Sequence, residues 1–153
     1  MIWFEDLPVG RVDRFGDLEV TREEVLDFAR KFDPQPFHLD DDAAAANPLF
    51  GRLAASGWHT AAMGMRMTVD FWEAQGGRGI LSGAGIDELR WRKPVYPGDR
   101  LRCESEVLEA RPSASRPGLG LVRIRQTFFN QDDAPVMSHI SNILVPRRPA
   151  DAG

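Results

Sequence analysis

The chain has one cysteine, Cys103, in 153 residues. That excludes an internal disulfide and any zinc site built on cysteines. The three histidines, His38, His59 and His139, show no His-x-x-x-His spacing, so no metal site is expected. Positive charge is not in surplus either. Nineteen Lys and Arg stand against 23 Asp and Glu, a net charge of −4, whereas binding a phosphate backbone calls for a basic excess. Nucleic acid is therefore not an expected partner. No apolar run approaches the ~20 residues of a membrane span, and none implies a membrane partner. The first residues, Met1-Ile2-Trp3-Phe4-Glu5-Asp6, lack a basic stretch and meet acid at once, unlike a signal peptide. A cytoplasmic protein is the expectation. Phosphate-loop, dinucleotide and Gly-x-Ser-x-Gly fingerprints are all missing, and there is no internal repeat.

What is present is the composition of a folded protein, 42% hydrophobic and 27% charged. At roughly 100–200 residues per domain, residues 1–153 form one domain, with 146–153 reading as a flexible tail. There is no room for a separate cofactor module, and no cofactor is expected. Thr21 ahead of Arg22-Glu23-Glu24 is a capping box, and Val25, Phe28, Ala29 and Phe32 recur at helical spacing over 22–32. Asp33-Pro34-Gln35-Pro36 stops that helix. Asp40-Asp41-Asp42 before Ala43–Ala46 predicts a short second helix. From Leu53 to Met65 no charged residue occurs, and Ser56 caps a helix running to about Ala74. Its polar-looking stripe is His59, Met63, Arg66, Asp70 and Glu73, so the helix is expected to be buried over most of its girth. Residues 80–92 read as extended. Arg100 to Glu109 alternates, with Leu101, Cys103, Ser105 and Val107 on one face. Two more strands follow at 119–130 and 135–146, after a loop over 111–118. Helices first and a strand meander after them predict an α+β fold with an antiparallel sheet.

Two groups of residues can carry chemistry. Asp33-Pro34-Gln35-Pro36-Phe37-His38 places an acid and a histidine across a loop stiffened by two prolines. Histidine titrates nearest neutrality and suits acid–base work beside a carboxylate that orients it. The same residues also fit a helix stop followed by a loop histidine. Ala55-Ser56-Gly57-Trp58 opens the apolar helix, where free backbone N–H groups form an oxyanion site and Gly57 leaves room for a ligand carbonyl. Plain capping by Ser56 accounts for that segment equally. His59, His139 and Cys103 are expected to be structural.

Together these segments resemble the MaoC-like dehydratase family, which includes the (R)-specific enoyl-CoA hydratases. The resemblance runs from Phe28-Ala29-Arg30-Lys31-Phe32-Asp33 through His38-Leu39-Asp40. It includes Phe50-Gly51-Arg52-Leu53-Ala54-Ala55-Ser56-Gly57-Trp58-His59-Thr60 and closes with Arg92-Lys93-Pro94-Val95-Tyr96-Pro97-Gly98-Asp99. It implies a single hotdog fold, a long central helix wrapped by a curved antiparallel sheet, working as a homodimer or higher homo-oligomer. It also implies hydration of a trans-2-enoyl-CoA or related acyl thioester to the (R)-3-hydroxyacyl thioester, or the reverse. Asp33 and His38 would be the catalytic pair and the Gly57 N–H the oxyanion donor, with Ser56 and Trp58 on the substrate. Two features depart from the family pattern: Ser56 stands where better-known members have histidine, and a supporting serine of the central helix falls near Met65. Two other functions fit the same fold: an acyl-CoA thioesterase, or a non-catalytic acyl-CoA-binding protein. Arg90, Arg92, Lys93, Arg111 and Arg116 are the cations that can meet coenzyme A phosphates, and they fit a solvated face as well.

Overall fold

A computed structural model describes residues 1–77 and 82–149. The three helices and the four later strands come in the expected order, but an additional strand precedes them, so the helices do not come first. Strand β1 (Val12–Glu19) leads into α1 (Arg22–Phe32), α2 (Asp41–Ala46) and α3 (Gly57–Ala74), followed by β2 (Ser82–Trp91), β3 (Arg100–Pro112), β4 (Leu119–Phe129) and β5 (Pro135–Pro146). Residues 80 and 81 of the first predicted strand, and 150–153 of the predicted tail, lie outside the described residues. All five strands form one antiparallel sheet in the order β1-β3-β4-β5-β2.

The caps explain where the helices begin. Thr21 accepts a hydrogen bond from the Glu24 backbone N–H at 3.3 Å, and its hydroxyl donates to the Glu24 carboxylate. Asp40 accepts from the Ala43 N–H at 2.8 Å and starts α2. At α3 the Ser56 hydroxyl accepts from the Trp58 N–H. Each satisfies a donor that a helix N-terminus leaves without an internal partner.

The sheet curves round α3 and packs on it at several points. Phe15 of β1 stacks on Phe71 at 4.3 Å. The Gln126 side-chain amide of β4 donates to the Thr68 hydroxyl at 3.0 Å. A close approach is at Gly64, where a Cβ would lie 2.8 Å from the Phe128 ring. A side chain there must displace a ring that is itself fully buried. Gly64→Val is accordingly expected to cost about 2 kcal/mol through overpacking, a fall of roughly 4–8 °C in Tm for a domain of this size. Thermal unfolding followed by circular dichroism checks it; an unchanged Tm would mean the β4–α3 contact is loose.

Three expectations are corrected. His59 and Met63 do not belong to a wet stripe; both are buried, because α1 lies over that side of α3 and Phe28 stacks on the His59 ring at 4.9 Å. Nor is α3 buried over most of its girth. Trp58, Met65 and Val69 are 59, 57 and 42% exposed, since within one chain the sheet and α1 leave that face of α3 open. Third, β3 runs on to Pro112 and shortens the loop to 113–118, because a register shift between Val107 and Glu109 lets Arg111 and Pro112 pair with Leu121 and Gly120. In the predicted tail, Arg147 and Arg148 form ion pairs with Glu5 and Asp6, which tie the end of β5 to the N-terminal turn.

Strand β2 is an edge strand, and its register carries a feature that alternation does not reveal. Asp87 pairs with Ile140 but Arg90 pairs with Ser138, so β2 spends one residue more than β5 over this step. Glu88 sits there at φ +52°, in the left-handed region. The bulge reverses the parity of the remaining residues of the strand. Trp91 thereby turns inward, opposite Met137, while Arg90 and Arg92 fall on the outer face of the sheet.

Candidate active site

The loop between α1 and α2 brings Asp33 and His38 together. Asp33 closes α1, its N–H still bonded to the Ala29 carbonyl. Pro36–His38 forms one turn of 3-10 helix, with the His38 N–H donating to the Gln35 carbonyl at 2.9 Å. The result is an imidazole Nε2 standing 3.4 Å from the Asp33 carboxylate. The two side chains are only 5 and 15% exposed.

The protonation of the ring is set by its other nitrogen. His38 Nδ1 lies 2.8 Å from the Ala54 carbonyl oxygen. A carbonyl can only accept, so Nδ1 carries the hydrogen. When the ring is neutral, Nε2 therefore offers a lone pair beside a carboxylate. Two acceptors this close can share one donor, such as a water with its two O–H bonds.

The carboxylate is held ionised. Burial pushes the Asp33 carboxyl up, but hydrogen bonds from Ser56 and Gln35, with the positive potential of His38, outweigh it and leave it below the ordinary aspartate value. The Gln35 amide donates at 2.7 Å. Ser56, expected on the substrate, is 0% exposed and turns to Asp33 instead. Ser56 is not among the residues lining the cavity, and its hydroxyl caps α3 through the Trp58 N–H. With its folded-state value lowered, Asp33 adds stability above the unfolded aspartate value, and this contribution is lost as pH falls through the folded one. Ser56→Ala removes one of the bonds that keep the carboxyl low. It should move the acid limb of the pH–rate profile to higher pH and cost about 1 kcal/mol through the lost cap. An acid limb in the same place would separate Ser56 from Asp33.

Gly57 begins α3, so its N–H has no acceptor within the helix. Its carbonyl accepts from the Trp91 indole at 2.8 Å, and a Cβ on Gly57 would lie 2.5 Å from that ring. Trp91 in turn meets Trp58 edge-on at 5.1 Å. Sequence reading missed Trp91 as a wall of the site, because only the bulge at Glu88 turns it inward.

A cavity of about 540 Å³ joins these parts, with Asp33, His38, Gly57, Trp58, Trp91 and Arg92 in its walls. Lys93 lines it too, whereas Arg111 and Arg116 do not. The residues expected to be structural stay apart from it. Burial pushes the Cys103 thiol up to about 12, far from a nucleophile's value. Burial also holds His59 and His139 below the ordinary histidine value. Among the described residues no group of three or more His, Cys, Asp or Glu is placed to hold a metal ion. No helix among them is long and apolar enough to cross a membrane.

Comparison with known proteins places the fold. The chain superposes on the MaoC-like dehydratase from Rhodospirillum rubrum with a TM-score of 0.86 and 40% identity, covering 98% of this chain and all of that one. R-hydratase PhaJ1 from Pseudomonas aeruginosa matches with a TM-score of 0.72 and 27% identity, over 99% of this chain and 97% of that one. An uncharacterized Bacillus subtilis protein, YdeM, is 29% identical over 94% of this chain and 98% of its own length. The family profile of the MaoC like domain matches residues 6–124. The chain therefore belongs to the MaoC-like domain family and has its hotdog fold.

Proposed function

We propose that this protein adds water to a trans-2-enoyl thioester of coenzyme A, giving the (R)-3-hydroxyacyl thioester, or runs the reverse dehydration. The observation that carries the reading is the Asp33–His38 pair, two acceptors 3.4 Å apart at the wall of a cavity that also contains Gly57. Membership in a family of acyl-thioester hydratases and dehydratases supports it.

The pair holds a water by its two O–H bonds. As the water oxygen bonds to Cβ, one O–H bond breaks and its proton passes to the pair. The electrons of the carbon–carbon double bond move toward the thioester oxygen as an enolate. The Gly57 N–H, with the positive end of the α3 dipole behind it, meets that developing charge. The enolate then collapses, and Cα takes a proton from the pair, restoring it. Which group receives the first proton is a property of the coupled pair. Trp58 and Trp91 form the apolar wall beside the acyl group.

A thioesterase of this fold needs a carboxylate or nucleophile aimed at the carbonyl from the central helix. Here the first acid of α3 is Asp70, exposed and paired with Arg66 at 3.0 Å. That favours hydration. Incubation with crotonyl-CoA and with a saturated acyl-CoA decides between them. Loss of the enoyl absorbance without thiol release is the expected outcome, and thiol release without hydration would overturn the proposal.

The active form is a pair of copies of this chain. Trp58, Met65 and Val69 on α3, with Ile86 on the edge strand β2, leave apolar surface on one side that a second copy covers. A strictly monomeric mass in solution would count against it.

A further inference from the structure

We infer that Tyr96 is a positioning residue for the His38 imidazole, acting through the segment Phe50–Ala55 that its hydroxyl fixes. This rests on the hydratase reading above and adds to it a residue outside the wall of the catalytic cavity. The imidazole is held from three sides. The Phe37 ring meets it edge-on at 4.6 Å, the Phe50 ring leans on it at 5.6 Å, and its Nδ1–H donates to the Ala54 carbonyl at 2.8 Å. Two of these holds come from one segment. Residues 47–56 lie between α2 and α3 in no helix or strand, so no regular ladder of backbone bonds fixes them. Their place depends on tethers.

The tethers come from the turn after β2. The Ala55 N–H donates to the Val95 carbonyl at 2.8 Å, and the neighbouring Tyr96 donates its phenolic O–H to the Phe50 carbonyl at 2.5 Å. The two bonds clamp the segment at both ends. One stands beside the Ala54 carbonyl, the other at the residue whose ring packs on His38. Tyr96 is held in its turn. Its N–H donates at 2.9 Å to the carboxylate of Asp99, which is 5% exposed, and the Arg52 guanidinium lies 3.8 Å over its ring. A cation is attracted to that ring face. It also draws electron density from the phenol, which makes the O–H a better donor. The Val95 bond is backbone to backbone, so the side chain there is immaterial to it. The Tyr96 bond needs a hydroxyl at the far edge of a ring. Without it the Phe50 carbonyl loses its donor, and both the Phe50 ring and the Ala54 carbonyl loosen on His38. Nε2 then no longer stands at a fixed distance from Asp33, and the water between them is misplaced.

Tyr96→Phe tests this, because it removes only the hydroxyl and keeps the ring under Arg52. Hydration of crotonyl-CoA should lose about 10-fold in kcat, less than the ~10²-fold that a misplacement of roughly 1 Å can cost. KM should stay unchanged, since Tyr96 does not line the cavity. Proton NMR with 15N-labelled histidine gives a reading that needs no turnover. In the variant the His38 Nδ1–H signal should fade by exchange with water. The ring signals of His59 and His139, which pack on Phe28 and Phe128, should not move. Native kcat in the variant, or a His38 signal that persists, would overturn the proposal. So would equal changes at all three histidines, which would mean that Tyr96 serves the fold at large. The two readings fail separately. A wild type that does not hydrate crotonyl-CoA, with a His38 signal that still depends on Tyr96, sinks the hydratase and leaves the positioning role. Hydration at native kcat by both forms, with the signal unmoved, sinks the positioning role and leaves the hydratase.

Discussion

Asp33→Asn and His38→Ala are each expected to lower kcat/KM for enoyl-thioester hydration by at least about 10²-fold, the scale of a lost acid–base group. Asparagine is nearly isosteric with aspartate, so the loop around Pro34 and Pro36 should hold its shape. Its amide, however, can donate toward His38 Nε2, 3.4 Å from the acid in the native pair. That occupies the lone pair on which a water must be held. In His38→Ala the Ala54 carbonyl also loses its donor, so a moderate fall in stability accompanies the loss of rate. Because the two groups act on one water, the double variant should be little worse than the poorer single one. Steady-state kinetics on the three variants check this, beside circular dichroism to confirm the fold. Single losses that multiply in the double variant would mean the residues work independently. Unchanged turnover in both singles would remove the pair from the reaction.

Gly57→Ala has the second large expected effect: it keeps the N–H but sets a methyl beside it, and a carbonyl kept from that donor should lose kcat toward the ~10²–10³-fold range of a lost oxyanion donor. Alanine is a favourable helix residue, so little stability should be lost through the backbone. The damage is local. The new methyl would lie 2.5 Å from the Trp91 ring, which must swing away and give up its hydrogen bond to the Gly57 carbonyl. The same methyl stands beside the N–H that would meet the enolate oxygen. A second substitution separates the two causes. In Gly57→Ala/Trp91→Ala the collision is gone, yet the rate should stay low, because the N–H remains crowded. Recovery of kcat in that double variant would assign the loss to Trp91, and near-native kcat in Gly57→Ala alone would mean that the site accommodates a methyl beside the donor.

Much of this architecture was legible in the chain because it rests on local rules. Thr21 before an acidic first turn, two prolines after Asp33 and Ser56 before Gly57 each fix a boundary through backbone sterics or a missing hydrogen-bond partner. The alternation of Leu101, Cys103, Ser105 and Val107 reports one buried face directly. Loop stiffness and a helix start mark Asp33–His38 and Gly57 separately; only the family resemblance joins them into one site. What could not be read depends on which element covers which. His59 and Met63 look polar-facing until α1 is known to lie on them. Ser56 looks like a ligand contact until Asp33 is placed against it. Trp91 faces inward only because of a register shift that no count of apolar residues contains.

That shift has a consequence for how the chain can change over time. At position 88 the structure needs a residue more than it needs a glutamate. The left-handed backbone there, φ +52°, suits glycine or asparagine better than the native side chain, so exchanges of identity should be tolerated. Loss of the residue is another matter. A single deletion would slide the rest of β2 by one position and trade the indole on the inner wall for a guanidinium. Strand β2 is thus free in composition at this point and fixed in length. Insertions and deletions that a turn would absorb are closed to it, although it lies at the edge of the sheet and exposes most of its side chains.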